Sequence, residues 1–380
     1  MIYSIPYVLL VMFYGVLALL VHQRKDDVPF CRNVNLLGCV VYLLFFGLRG
    51  FVMHDWMNYY PEFEKADFSS FQGYSLGFDR EPGWMLMELV CKSLVDNYHF
   101  FVFVVSLVCL LLLVRFLKQY MDNIMLGMVI FLVFDGMVLS VNVMRNAISL
   151  LIFLNALPFL FQRRALPYFL MCALAFTFHY SGIVYFPLYF FLHRRLNKWV
   201  YMVICGACVL IYLSNIPVFL TLVRLSGVGG EIIENKLEAY MDISNQLRIS
   251  IGFLERLMTM SLVFCYYEKI HEFRKENTMF VNAFVIYMAA ALLFSDFSEI
   301  SKRINMLFVF SYWILWGDLI KCFYYDNNRR LFLAFLSVYC ILKIAAPMKD
   351  QPVCEYDNLL FGIKSYPERK AIFERTFEDD

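Results

Sequence analysis

Residues 47–60 read GLRGFVMHDWMNYY: Arg49 closes an apolar run, and His54, Asp55, Trp56, Asn58, Tyr59 and Tyr60 follow at once. Other cations stand at similar edges. Arg80 lies in the next polar stretch, Arg145 opens an apolar run in VNVMRNAISL, and Lys302 and Arg303 do the same in SDFSEISKRINMLF. At the N-terminus of a helix the macrodipole already carries partial positive charge, so Arg145, Lys302 and Arg303 are disfavoured there unless something negative meets them. A phosphate would do so, since helix N-termini and arginine forks together make anion sites. The competing reading is internal pairing with Asp55, Asp296 or Glu299. Asp55 and Glu81 are carboxylates that could serve as general base toward a sugar hydroxyl. Each is next to aromatic residues (HDW at 54–56, EPGW at 81–84), and Trp56, Tyr59, Trp84 and Tyr180 could stack on sugar rings. His179, in FHYSG, ranks first as base, because an imidazole with an unperturbed pKa of about 6.5 is mostly neutral and able to accept a proton. A lone histidine is more often a packed, hydrogen-bonded residue, and that reading stands beside it. No H-E-x-x-H, G-x-S-x-G, phosphate-binding loop or paired-glycine dinucleotide signature is present, and no metal or cofactor is expected.

The elements that must position these residues are membrane helices. The chain has 380 residues, 61% hydrophobic and 17% charged, with 40 Phe and 25 Tyr, which is a membrane composition. A net charge of +1 gives no reason to expect nucleic-acid binding. The 11 cysteines lie mostly in apolar runs and read as small apolar residues, not as a zinc site or a disulfide framework. The first apolar run has no basic leader and no small-residue cleavage site, and reads as a retained helix. Runs long enough to cross occupy roughly 2–21, 34–52, 98–117, 122–140, 146–161, 198–217, 251–268, 279–296, 303–321 and 331–347, making about ten full spans in one transmembrane domain over 1–380.

Lysine and arginine set the orientation. Sixteen of the 33 fall in six short loops (22–33, 115–119, 162–164, 193–198, 268–276 and 321–330), which should be cytoplasmic. The loop 53–97, the turn near 140–145, the segment 218–250, the turn 297–302 and the tail 348–380 then face outward, as do both termini. The stretch 165–192 is bracketed by arginine pairs, so both its ends should be cytoplasmic, yet it is too short for two full crossings. Two half-helices meeting at His179–Gly182 satisfy both constraints. The first outer loop is acidic, with Asp55, Glu62, Glu64, Asp67, Asp79 and Glu81 against Lys65 and Arg80. Over 81–95 the pattern Trp84, Leu86, Met87, Leu89, Val90, Leu94 predicts an amphipathic helix on the outer surface. In 218–250 a glycine-rich start, SGVGG, precedes a short helix, EIIENKLEAYM.

In their order and separations LRG and HDWMNYY (48–60), EPGW (81–84), VMRNAISLLIF (143–153), FHYSGIVYFPLY (178–189) and SDFSEISKRINMLF (295–308) resemble the EpsG family of Wzy-type polysaccharide polymerases. The resemblance spans roughly residues 35–310. It departs at Asn146, where the family often has Gln after the Arg, and at His54, where Thr or Ser often precedes the Asp. It implies an all-α, multi-spanning, GT-C-like glycosyltransferase of the bacterial cytoplasmic membrane with an outward-facing site. Donor and acceptor would both be glycans on undecaprenyl diphosphate, and the product a capsule, exopolysaccharide or O-antigen chain. Arg49, Arg80, Arg145, Lys302 and Arg303 would meet the diphosphate, and the aromatic cluster the sugars. Besides the lipid bilayer, a chain-length regulator and a flippase are the partners that the resemblance adds.

Two rival readings use the same residues. A transporter or flippase of lipid-linked oligosaccharide shares the need for a cationic cavity, and would be expected to show related halves and charges near mid-membrane. A membrane acyltransferase built around His179 would need a route for an acyl donor, and nothing in the sequence marks one.

Overall fold

A computed structural model describes residues 2–71, 75, 80–226 and 249–378; Asp79, the glycine-rich 227–230 and the helix expected at 231–241 lie outside them. Among these residues the protein is all-α, a polytopic membrane protein, with isolated bridges at Arg49, Asn358 and Gly362 in place of strands. The chain forms two compact units, residues 1–190 with 330–380 and residues 191–329, each described by itself. Among the described residues six helices are long and apolar enough to cross a membrane, and Ala165–Phe178, Lys198–Leu213 and Asn277–Leu293 are apolar but shorter.

In the first unit, helix starts are written in the local sequence. Asp27 accepts the Phe30 N–H at the start of α2 (Val28–Tyr42), which follows α1 (Ile5–Gln23) and continues through a wider turn to Gly47. Asn97 caps α5 (Tyr98–Tyr120) and Asn123 caps α6 (Ile124–Phe131). The span begun by α6 breaks at Phe134–Asp135, where Asp135 takes φ 63°, and resumes in α7 (Met137–Val141). Asp tolerates that left-handed conformation better than most residues. The next helix, α8 (Met144–Phe161), is buried along most of its length. Its Asn155 donates to the Leu112 carbonyl of α5 at 3.0 Å, which satisfies a polar group in an apolar interior.

Two helices, α3 (Trp56–Lys65) and α4 (Pro82–Leu94), pack on each other and on α5. On α4, Trp84, Met85, Glu88, Leu89 and Cys91 are buried while Leu86, Val90 and Leu94 are exposed at four-residue spacing, so the helix is apolar on its open side as well. The stretch 165–192 forms α9 (Ala165–Phe178), a 3-10 turn over Tyr180–Val184 and α10 (Tyr185–Phe191), with extended backbone at His179. At 14 residues α9 is about 21 Å long, well short of a ~30 Å hydrocarbon core.

The C-terminal segment folds back onto residues 44–60. Asn358 donates to the Leu44 carbonyl at 2.7 Å, the Leu359 N–H to Leu48 at 2.8 Å, Gly50 to Asp357 at 3.0 Å and Met53 to Val353 at 2.9 Å. The helix Tyr366–Glu378 covers the aromatic cluster: Tyr366 stacks on Tyr60 at 4.5 Å, and Phe373 meets Trp56 edge-on at 6.1 Å. Arg369, 2% exposed, pins this helix through Glu355 and Asp357.

In the second unit, Asn277–Leu293 is buried on every side, and the fully buried Asp318 pairs with Arg274 at 2.5 Å and accepts from Asn277 at 3.0 Å. The apolar runs expected to cross at 251–268 and 303–321 are interrupted, the first at Tyr266 and the second at Val309. Cys205 and Cys208 form a C-x-x-C spacing that a reading of cysteines as scattered apolar residues passes over. Both are free thiols, buried on the helix Lys198–Leu213.

Candidate active site

Two helix starts and one helix break in the first unit come together. Glu81 immediately precedes α4, Arg145 is the second residue of α8, and His179–Ser181 is the kink after α9. Close packing brings them there. A Cβ on Gly83 would lie 2.5 Å from the Thr177 hydroxyl and 2.9 Å from its carbonyl oxygen, so only glycine lets the start of α4 approach the end of α9 this closely.

Glu81 is the hub. Its Oε2 accepts from Arg145 Nη1 at 3.0 Å, and its Oε1 lies 3.5 Å from the Tyr180 N–H. The Glu81 side chain is 8% exposed and that of Arg145 25%, so the arginine keeps an open side. The Arg145 guanidinium also rests over the Tyr59 ring, 5.4 Å from its centre. Arg80 anchors the neighbouring backbone. Its Nη1 bridges Glu62 at 3.2 Å and Glu88 at 2.9 Å, and its carbonyl accepts from the Tyr180 hydroxyl at 3.4 Å. Glu88 is fully buried; burial pushes its pKa up to about 7, with Arg80 opposing the rise and Glu62 adding to it.

His179 turns inward to its own loop. Its Nδ1 accepts the Ser181 N–H at 3.2 Å and pairs with the Ser181 hydroxyl at 2.6 Å. An imidazole whose Nδ1 is accepting carries its proton on Nε2 when neutral, and then offers a donor on its other side.

The remaining residues are placed as follows. Trp84 is fully buried behind Tyr59 and against Phe101, forming the wall of the cluster. Trp56 is buried beneath Tyr366 and Phe373. His54 is exposed, with its ring edge-on to Phe373, and the N–H groups of His54 and Asp55 both donate to Asn142 Oδ1 at 3.0 and 2.9 Å. Arg49 is 3% exposed and donates to the Phe46 carbonyl, the Ser106 hydroxyl at 3.3 Å and the Val141 carbonyl at 3.4 Å. Its fork is spent on holding helix ends. Lys302 and Arg303 belong to the second unit, where Lys302 pairs with Glu299 at 2.8 Å and Arg303 is exposed. Of the predicted residues, then, the first unit gathers Arg80, Glu81, Arg145, Tyr59, Trp84 and Tyr180 and leaves Arg49 and Trp56 under the C-terminal segment.

Sequence reasoning passed over Glu62, Glu88, Asn142 and Ser181. Glu88 left one signal: it stands four residues after Trp84 and so shares its buried helix face. Among the described residues no group of three His, Cys, Asp or Glu is placed to hold a metal ion. A family model described as the EpsG family matches residues 34–359. No curated protein and no solved structure matches the chain.

Proposed function

This chain belongs to the EpsG family, whose function is tied to polysaccharide polymerisation, and from that premise we propose that it joins repeat units carried on undecaprenyl diphosphate. The reaction takes place on the outer face of the bacterial cytoplasmic membrane. An acceptor hydroxyl attacks the anomeric carbon of the donor glycan, the bond from that carbon to the diphosphate oxygen breaks, and the lipid diphosphate leaves. The observation that carries this reading is the Arg145–Glu81 pair at the start of α8. A diphosphate has more charge than one carboxylate and is favoured by the same helix N-terminus, so it can take Arg145 from Glu81. The arginine then stabilises the leaving group, and the released carboxylate receives the hydroxyl proton. Arg80 and Tyr180 hold the loop around it.

Purified protein in bilayers, supplied with lipid-linked repeat units, should produce a ladder of longer glycans. Glu81→Gln should still bind the lipid and lose on the order of 10²–10⁴-fold in turnover. Movement of the lipid-linked unit across the bilayer with no ladder would overturn the reading in favour of a transporter.

A further inference from the structure

The second unit carries a recess of about 340 Å³ lined by Arg195, Leu196, Asn197, Lys198, Trp199, Tyr267 and Glu268. It lies at the end of the helix Lys198–Leu213, remote in sequence from the Glu81–Arg145 cluster. The Arg195 guanidinium stacks on the Tyr267 ring at 5.2 Å, donates to the Tyr267 hydroxyl at 3.4 Å and pairs with Glu268 at 2.6 Å, while 46% of the side chain stays open. The Lys198 ammonium sits 5.7 Å from the centre of the Trp199 ring. Below these cations the helix is apolar and open: Trp199 is 66% exposed and Val203 70%, and Val200, Ile204 and Leu210 continue the surface.

We infer that this recess is a headgroup site for an anionic phospholipid, with the phosphate between Arg195 and Lys198 and the acyl chains along Trp199, Val203 and Leu210. Three physical features converge on that occupant. The Arg195 guanidinium is held by Tyr267 and so loses little freedom when a phosphate arrives, and the Lys198 ammonium stands at the same helix start as a second cation. Trp199 stands where an indole suits the boundary between headgroup and hydrocarbon. The helix has only 16 residues, about 24 Å, and a span shorter than the bilayer draws flanking cations and headgroups toward it. Glu268 is the one carboxylate in the recess, and it competes for Arg195.

The test uses the full-length protein in bilayers with phosphatidylglycerol or phosphatidylcholine brominated on the acyl chain, reading the quenching of tryptophan emission. The Trp199 share is the difference from Trp199→Phe. Brominated phosphatidylglycerol should quench that share at lower mole fraction than brominated phosphatidylcholine, with each cation contributing about fivefold to the preference. Lys198→Ala and Arg195→Ala should each remove their part, and Glu268→Gln, which frees Arg195, should strengthen it. Inorganic phosphate at millimolar concentration should leave the preference in place; abolition of it would assign the recess to a free phosphate instead. Equal quenching by the two lipids in the wild type overturns the proposal. If Arg195→Ala fails to fold, the opposite shifts of Lys198→Ala and Glu268→Gln still decide.

Discussion

Arg145 and Glu81 must be read as one unit, because each is the other's counter-ion. On the proposed mechanism, Arg145→Ala removes a charge-assisted contact of ~1.5–3 kcal/mol to the leaving group, so turnover should fall by roughly ten- to over a hundredfold. Arg145→Lys should recover only part of that, since a point charge cannot replace a planar fork. The losses from Arg145→Ala and Glu81→Gln should not add in the double variant, because the residues touch. His179→Ala should cost less than Glu81→Gln, since its Nδ1 is already occupied by Ser181; the reverse order in a ladder assay would make His179 the base. Arg49 belongs to a different category. With its guanidinium buried on the Phe46 and Val141 carbonyls and the Ser106 hydroxyl, Arg49→Ala removes three buried hydrogen bonds and takes the Arg49 donor from the Val141 carbonyl, while Phe46 keeps the Ser106 hydroxyl. The expected outcome is a loss of ~3 kcal/mol or more in stability, seen as a lower unfolding temperature in detergent, before any specific kinetic effect.

At the scale of elements, α4 decides the site, because its N-terminus presents Glu81 and its buried face carries Glu88. The folded protein holds the proton on Glu88 up to about pH 7, whereas an unfolded glutamate loses it near pH 4.5. Between those values the folded state binds more protons than the unfolded state, so stability falls as pH rises from about 4.5 to above 7. The protonated form is fully favoured below that window. Glu88→Gln should flatten the slope, read as the change in unfolding temperature between pH 5 and pH 8. A variant that keeps the wild-type slope would show that another group titrates there. The arm between Arg80 and Glu88 also explains why the loop leading into α4 is held in register with Tyr180, although the kink at Tyr180 lies 100 residues away.

For the whole molecule, the C-terminal segment closes the first unit. By pairing with residues 44–53 it packs the segment from residue 352 onward against the start of the first polar loop. Two native thiols can report orientation without new mutations. Cys31 is half-buried in the first turn of α2, within the stretch 22–33, and Cys265 is exposed at the end of the helix Ile251–Cys265, both at ends read as cytoplasmic. An impermeant thiol reagent should leave both unlabelled in intact cells and reach them after permeabilisation. Labelling of Cys31 in intact cells would invert the topology of the first unit and place the Glu81–Arg145 cluster on the cytoplasmic side, and labelling of Cys265 would do the same for its own helix end.

The sequence by itself determined what depends on local chemistry. The apolar runs at roughly 2–21, 98–117 and 331–347 read as membrane helices, because a helix satisfies all its backbone hydrogen bonds within one segment, and helices Ile5–Gln23, Tyr98–Tyr120 and Asp326–Met348 stand there. The break at His179 could be read from a run too short to cross twice. Arg145 at the start of α8 could be read from a cation in the wrong place for a helix dipole. What only the tertiary structure decided is which of these meet. Glu81 and Arg145 are 64 residues apart, and a carboxylate in an acidic loop carries no local mark of its partner. Trp56 looked like a sugar platform because an indole after an aspartate is chemically suited to one. Its burial depends on Tyr366 and Phe373, which return to it across the whole length of the chain. Glu88 lay within an apolar pattern that drew attention to its neighbours, and its raised pKa comes from burial, with Glu62 adding to the rise and Arg80 opposing it. Periodicity and dipoles act over a few residues, whereas burial and ion pairing are set by packing between segments distant in sequence.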